Sequence, residues 1–526
     1  VKLPVTYLPP GDQWDQNLLR SVLLAGAVDA GPDDGLILVI PGRYWHDRTD
    51  EITAAIEGRP WVLAIRTGDE EDLLDPARVI HPNIRWWIQT PRVGRDYGEV
   101  RVFGIGYPPH FNTAPAEAPD KRFDVFLSAQ NTHKRRTQCF DALADLDCTH
   151  IVQETAGFTQ GLPPRVYAGN MRLAKIAPAP AGPASPDTFR VYEALQAHAV
   201  PIADDITDAY DSTGYWALVA PGAPFPVLTD HTDLPAIIDG LLATWPRSAN
   251  RVTAWWIAHK RTLARWLHAD LAALGAAPVS ARPPTTVIIT ASPIKSHPDT
   301  AILDETVASV RAQLPDAEIV LVHDGVRPEQ EHLRAAYEEY LRRVLWSADH
   351  RWTNVLPLIF DEHLHQAVAV KRALAHVDTP LVLFLEHDTP ITGEIPWAAI
   401  EAVIIDQRAH CVRFHHEASI PLPHKHLMLD DERRDVGGVP MMRTAQWSQR
   451  PHLASTDFYR TLLDWAFPND ETNFIEDVVY GKLCDAFDVD GVDGWDSWRT
   501  WIYTPAGDIK RSYHTDGRAG ASKFDR

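Results

Sequence analysis

Short, dense runs of apolar residues alternate along the chain with longer stretches whose apolar positions recur at helical spacing. In the N-terminal part the runs are GLILVIPG, PWVLAIRT, IRWWIQT, VRVFGIGYPP and FDVFLSA. They are too short for helices and too uniformly apolar for half-exposed strands, which predicts strands covered on both faces, as in a mostly parallel sheet. The segments between them have room for helices. TTVIITASP, AEIVLVHDG and TPLVLFLEHDTPI repeat the pattern in the second half. The whole chain therefore predicts an α/β fold.

The pattern breaks at AALGAAPVSARPPTT, residues 272–286, where Ala, Gly and Pro replace periodicity. Before the break, TAWWIAHKRTLARWLHADLAAL predicts a long amphipathic helix with Trp255, Leu263, Trp266 and Leu267 on related faces. After it, TTVIITASP predicts a buried strand. A helix closing one unit and a strand opening the next places a domain boundary there. A second break at NTAPAEAPDKR, residues 112–122, divides the N-terminal half into two lobes. The expected domains are residues 1–115, 116–280 and 284–526.

Length and charge narrow the function. A chain of 526 residues with 45% hydrophobic and 23% charged residues has material for several cores. A formal net charge of -21 repels phosphate backbones and disfavours sequence-independent binding to nucleic acid. Cys139, Cys148, Cys411 and Cys484 are scattered without a CxxC pair, a pattern poor in disulfides and zinc that fits a reducing compartment. The opening VKLPVTYLPPGDQWD lacks the basic start and apolar run of a signal peptide. No stretch approaches the roughly 20 apolar residues of a membrane span. A soluble, cytoplasmic protein is expected. Eighteen tryptophans are many for this length, enough to fill cores and also line sugar sites.

DVFLSAQNTHKRRTQCFDAL reads as strand, polar loop and helix, with Lys134, Arg135 and Arg136 at the helix start. Free backbone N–H groups point outward there, and with the basic side chains they suit an anionic diphosphate. A solvated basic helix end is the plainer alternative. Further on, Ser185 is a suitable N-cap and Pro186 a suitable first helical residue, which predicts a helix beginning there. Glu193 lies on that helix among Phe189, Tyr192 and Leu195. A carboxylate in such surroundings needs a partner, either ribose hydroxyls of a nucleotide or simply Arg190.

The run SPDTFRVYEALQAHAVPI, with its Ser, its Arg and its Glu-Ala-Leu before a short Val-Pro-Ile strand, resembles the donor-binding segment of exostosin-like glycosyltransferases. The resemblance covers about residues 120–210. It implies a two-lobed, metal-independent transferase of the GT-B type, with Arg135, Arg136, Ser185, Arg190 and Glu193 at the nucleotide-sugar donor. His198-Ala199 stands where the family carries a Gly-Cys type turn.

In the second half, Asp324 ends one predicted strand and Glu386-His387-Asp388 ends another. Carboxylates at the C-terminal ends of neighbouring parallel strands fall where α/β sheets bind ligands. Alternate residues of such an end can direct two carboxylates at one divalent cation, although a solvated acidic strand end looks the same locally. Strand order and position resemble the metal-dependent, single-sheet GT-A type of nucleotide-sugar transferase, whose Asp-x-Asp triplet is matched by Glu386-His387-Asp388 with Glu for the first Asp. The resemblance implies Mn2+ or Mg2+ held by Asp388 and Glu386, with Asp324 at the donor. It extends to NFIEDVVYGKL, where inverting members carry a Glu-Asp pair and the Asp removes the acceptor proton. Carried over, Asp477 is the general base, beside Glu476. The same residues read alone are acids favoured at a helix N-terminus, on a helix over 473–483 with Phe474, Val478 and Leu483 inward. His514 in KRSYHTDGR resembles the late histidine that completes the metal shell in some relatives, and Lys510 and Arg511 beside it would neutralise the leaving diphosphate.

FHHEASIPLPHKH holds His415, His416, His424 and His426 at spacings unlike a helical zinc pair, and reads as a polar acceptor loop. GGVPMMRTAQWSQRP, residues 437–451, reads as a second acceptor wall with Trp447 as an apolar platform. In the first lobe His46, Asp47 and Asp50 are candidate acceptor-side groups. The chain is expected to be a bifunctional glycosyltransferase making two sequential additions from nucleotide sugars to hydroxyl acceptors: a glycan, a protein side chain, or a hydroxymethylated base in DNA. The alternatives are one active half beside a glycan- or donor-binding module, and a lectin-like binder, against which the paired acids argue.

Overall fold

The uniformly apolar runs become strands of parallel sheets, where both faces are covered and no alternation is needed. In the computed structural model the described residues are 3–8, 14–42, 44, 48–68, 81–157, 160–276 and 283–515, and the side chains of Pro423 and His426 are not among them. The chain divides into two compact units, Val1–Ala281 and Arg282–Arg526. Residues 277–282 of the Pro-rich break lie outside the described residues.

The first unit carries two Rossmann-like sheets, parallel throughout. The first contains β1 (Pro4–Tyr7), β2 (Val28–Asp29), β3 (Leu36–Pro41), β4 (Val62–Thr67), β5 (Ile84–Gln89) and β6 (Arg101–Phe103), in the order β2-β1-β3-β4-β5-β6. The second contains β7 (Phe123–Gln130), β8 (His150–Thr155), β9 (Ala174–Ala179), β10 (Val200–Asp204) and β11 (Val227–Leu228), in the order β11-β10-β9-β7-β8. VRVFGIGYPP forms a strand only to Phe103; beyond it the backbone turns at Gly106, with φ 76°.

One core cluster joins the two sheets, with Val39, Ile65 and Trp87 from the first and Ala177, Val191 and Trp256 from the second side. The helix Arg247–Ala273 buries Trp256, Leu263, Leu267 and Leu271 in it, each large apolar side chain contributing about 1.5–3 kcal/mol. Trp255 and Trp266 lie at the margin, so the buried stripe is shifted by one residue from the expected face at Trp256. The same helix ends against the first sheet, where Asp270 accepts a hydrogen bond from Trp87 Nε1 at 2.9 Å.

A second tie between the lobes is Asp187. Its carboxylate accepts from Thr90 Oγ1 at 3.1 Å and the Ile105 N–H at 2.9 Å on the first lobe, and from Tyr215 Oη at 2.8 Å on the second. Beside it the backbone of Gly104 presses on Tyr192, where a Cβ would lie 1.6 Å from the hydroxyl. Pulling Asp187 inward sets where the next helix starts. It spans Phe189–Gln196 and is capped by Thr188, which accepts from the Arg190 N–H. Ser185 therefore does not cap it. Its hydroxyl accepts from the Asp187 N–H at 3.1 Å in the preceding turn. After this helix His198 takes the left-handed conformation, φ 53°, so the turn is made without glycine.

The second unit is built on one mixed sheet in the order β14-β13-β12-β15-β19-β16-β20-β18-β17. Its strands are β12 (Thr285–Ala291), β13 (Glu318–His323), β14 (Val355–Ile359), β15 (Leu381–Glu386), β16 (Cys411–Arg413), β17 (Arg434–Val436), β18 (Val439–Arg443), β19 (His452–Ser455) and β20 (Thr500–Tyr503). β14, β13, β12 and β15 are parallel, so the ends of the three strands expected from sequence lie side by side. β19 then pairs antiparallel with β15 and carries the sheet onward. Among the described residues no helix is long and apolar enough to cross a membrane.

Candidate active sites

In the first unit, β7 leads through a loop to the helix Lys134–Ala142, and the helix Phe189–Gln196 follows β9. Both helices start beyond the C-terminal ends of parallel strands, the edge where such sheets receive ligands. Arg136 and Arg190 lie close enough there for their charges to act on each other. Burial, and then the charge of Arg190, hold the Arg136 guanidinium down to about 10. Among the described residues, the Arg136 guanidinium donates to the Gln130 carbonyl at 3.3 Å and Thr132 Oγ1 at 3.4 Å, and that of Arg190 to the Ser128 carbonyl at 3.4 Å. Two neighbouring guanidiniums, of which Arg190 also acts on the Glu193 carboxylate, leave net positive charge that an anion would relieve. Glu193 is buried one helical turn on and accepts from Tyr167 Oη at 2.6 Å. Burial raises its pKa, against the opposing effects of Tyr167 and Arg190.

Arg135 does not join this group. Its guanidinium pairs with the buried Asp204 at the end of β10, with Nε to Oδ2 at 3.0 Å, and it also donates to the Thr229 carbonyl. Its charge is spent inside the lobe. Ser185 is also buried and engaged. In the first lobe His46 and Asp47 lie outside the described residues, and Asp50 is exposed on the helix Thr49–Ile56.

In the second unit Glu386 ends β15 and Asp388 follows in the turn. Gln366, on the helix His365–Leu374, ties this strand end to a third element. Its amide donates to Glu386 at 3.1 Å and its carbonyl accepts from the Ile475 N–H at 3.1 Å. That contact sets the start of the helix Ile475–Asp490 and brings Glu476 inward, where it accepts from the Gln449 N–H at 3.1 Å. Asp477 is exposed on the same first turn. The C-terminal segment runs back along residues 388–392, with the Thr515 N–H on the Asp388 carbonyl and the Thr392 N–H on the Arg511 carbonyl. It places His514 Nε2 3.4 Å from Asp388 Oδ2.

Glu386, Asp388, Glu476 and His514 thus converge. Burial, then Asp388, then Glu476 push the Glu386 carboxyl up to about 8. Such crowding of carboxylates is what a divalent cation offsets. Within this unit no three described acidic or imidazole ligand atoms lie within 4.8 Å of one another. The residues fit an open shell of one or two carboxylates that a substrate phosphate completes, not a closed protein cage.

Other expected residues are placed elsewhere. Asp324 is buried and holds a loop: it accepts from the Leu364 N–H at 2.7 Å and the His365 N–H at 3.0 Å, and faces His363 at 2.6 Å. Arg511 is fixed by the carbonyls of Glu394, Asp508 and Lys510, and the Lys510 ammonium lies 5.9 Å from the Tyr513 ring. Trp447 is 2% exposed and packs on His452 and Tyr459, so it is core and offers no platform. Helix Ile475–Asp490 buries Val479 and Ile475, where Val478 and Phe474 were the expected inward residues. Its register follows the Ile475 N–H contact with Gln366. His415 is buried against Glu417, and His416 bonds Ser512 Oγ at 2.6 Å. Gln366 escaped the sequence reading because a lone Gln in HLHQAVAV carries no pattern.

No protein-family model matches the chain, and no curated protein does. Among solved structures it is similar to two crystal structures of S. aureus TarS, each at 14% identity. One has a TM-score of 0.26 over 44% of this chain and 36% of that chain. The other, TarS 1-349, has a TM-score of 0.27 over 44% of this chain and 60% of that chain. The chain thus spans less than two thirds of either of these two structures.

Proposed function

We propose that the chain is a glycosyltransferase with two donor sites, one metal-dependent in the second unit and one metal-independent in the first, acting in sequence on a hydroxyl acceptor. The observation that carries the reading is the convergence of Glu386, Asp388, Glu476 and His514 beside the end of a central parallel strand. Asp388, with Glu386 and His514, would hold Mn2+ or Mg2+, which supplies positive charge to the diphosphate of a nucleotide sugar. Asp477, exposed beside Glu476 at the helix start, faces solvent from which an acceptor arrives, and is the proposed general base. Glu476, held by the Gln449 N–H, keeps the helix start in place. Transfer through one in-line displacement would invert the sugar carbon.

In the first unit the neighbouring pair Arg136 and Arg190 supports a donor site that takes the diphosphate directly, with Glu193 at the ribose. The acceptor is a hydroxyl compound, and the net charge of -21 makes a glycan or protein a better fit than DNA. The reading is tested by screening nucleotide sugars for hydrolysis with the full chain and with Asp388→Ala and Arg136→Ala. Each variant should lose one of two activities. No hydrolysis of any donor by the full chain, with or without manganese, would remove the reading.

A further inference from the structure

The cleft of the first unit has a second wall. After β6 the chain passes Gly104 and Tyr107 into the short turn Pro109–Phe111, at the C-terminal edge of the first sheet. This turn carries His110. Its ring lies 5.8 Å from Trp14 and 6.2 Å from Tyr167, both edge-on. Tyr167 belongs to the second lobe and donates to Glu193. Trp14 is 42% exposed and also meets Phe189, the first residue of the helix bearing Arg190 and Glu193, at 6.5 Å. Trp14 and His110 from one lobe therefore stand beside Phe189 and Tyr167 of the other, Tyr167 holding Glu193 and Phe189 opening the helix that carries Arg190.

We infer, resting on the donor reading of this unit, that His110 is the catalytic residue that takes the proton of the acceptor hydroxyl here, with Trp14 as the platform for the acceptor ring. The other acids and bases of the cleft are engaged. Glu193 is held by Tyr167, Asp187 by three donors from both lobes, and His133 by the Ala181 carbonyl and Thr132. Among the described residues the His110 ring nitrogens have no hydrogen-bond partner. Burial, and then Arg172, lower its pKa to about 4, so at neutral pH the imidazole is uncharged and one ring nitrogen carries a lone pair.

The step balances without a further reactant. The acceptor oxygen forms a bond to the anomeric carbon, the bond from that carbon to the diphosphate oxygen breaks, and the electron pair leaves with the diphosphate. Its charge develops against Arg136 and Arg190, while the acceptor proton passes to His110 and then to solvent. Aromatic edges and faces around the ring suit a sugar acceptor, whose C–H groups pack on Trp14 while its hydroxyls point at His110.

The test uses the full chain with the second site silenced by Asp388→Ala, and UDP-glucose, UDP-N-acetylglucosamine and GDP-mannose as probes, water serving as acceptor. His110→Ala and His110→Phe should each lower release of the nucleoside diphosphate by about 10²–10⁴-fold while its affinity changes by less than about threefold. The Phe variant keeps the aromatic packing with Trp14 and Tyr167. Added imidazole should restore part of the rate to the Ala variant and none to the Phe variant. Undiminished release in both variants, or affinity falling as far as rate, would overturn the assignment of His110 and leave the donor site standing. Absence of nucleotide binding in the folded parent protein would overturn the donor site and His110 with it.

Discussion

The two units gather like charges at the ends of their parallel strands, but of opposite sign. In the first unit burial, and then the charge of Arg190, make the Arg136 guanidinium lose a proton more readily than usual. In the second, burial, then the charges of Asp388 and Glu476, let the Glu386 carboxyl hold its proton up to about 8. Each cluster is costly alone, and on the proposed function each would be relieved by a ligand, a diphosphate in one and a cation in the other. The difference teaches how, under the proposed function, the same edge of an α/β sheet would meet a nucleotide sugar in two ways. A cationic edge would take the phosphates directly, and an acidic edge would need an ion between.

The comparison breaks most sharply at Asp388. Asp388→Ala should abolish metal-dependent nucleotide binding and turnover in the second unit, and a chelator should do the same to the parent chain, both read by calorimetry and hydrolysis. Retained, chelator-resistant activity would leave that unit no different from the first. A smaller effect is expected at Asp477→Asn, which keeps shape and donor affinity but loses about 10²–10⁴-fold in single-turnover rate. If Glu476→Gln lost that factor instead, the inward acid would be the base.

The first unit should answer more modestly and without regard to metal. Glu193→Ala removes a charged hydrogen-bond partner worth about 1.5–3 kcal/mol, so nucleotide affinity there should fall at least about tenfold, with the second unit's activity unchanged. The smallest effect concerns stability. Asp187 is held up to about 6 by burial, against its hydrogen bonds, while in the unfolded chain it titrates near 3.8. Between these values the folded form binds more protons, so stability falls as pH rises from about 3.8 to 6 and is flat above. The total is on the order of 2–3 kcal/mol. Asp187→Asn should remove that slope from melting temperatures measured across the window.

Legibility in the sequence followed length and burial of the elements. β3, β4, β5, β7, β12, β13 and β15 stand out because strands buried on both faces are written as unbroken apolar runs. β1, with only PVTY, and β8, with HIVQET, do not rise above their surroundings. Nor do the short strands β16–β20, which apart from the local pair β17 and β18 find their partners far off in sequence. Side-chain commitments were harder still. Nothing near Arg135 shows that Asp204 will neutralise it, and nothing near Ser185 shows that Asp187 will be drawn into the other lobe and move the cap to Thr188. His110 carries no motif at all; it becomes a candidate only once folding sets it against Trp14 and Tyr167.

The central claim, two donor sites of which one needs a metal, is tested most directly by calorimetric titration of uridine and guanosine diphosphates and their sugars into the full chain, with manganese and then with a chelator. The account predicts two binding events with manganese, of which one persists after chelation and is lost in Arg136→Ala, while the other is lost on chelation and in Asp388→Ala. A single binding event under both conditions, or loss of all binding on chelation, would contradict it.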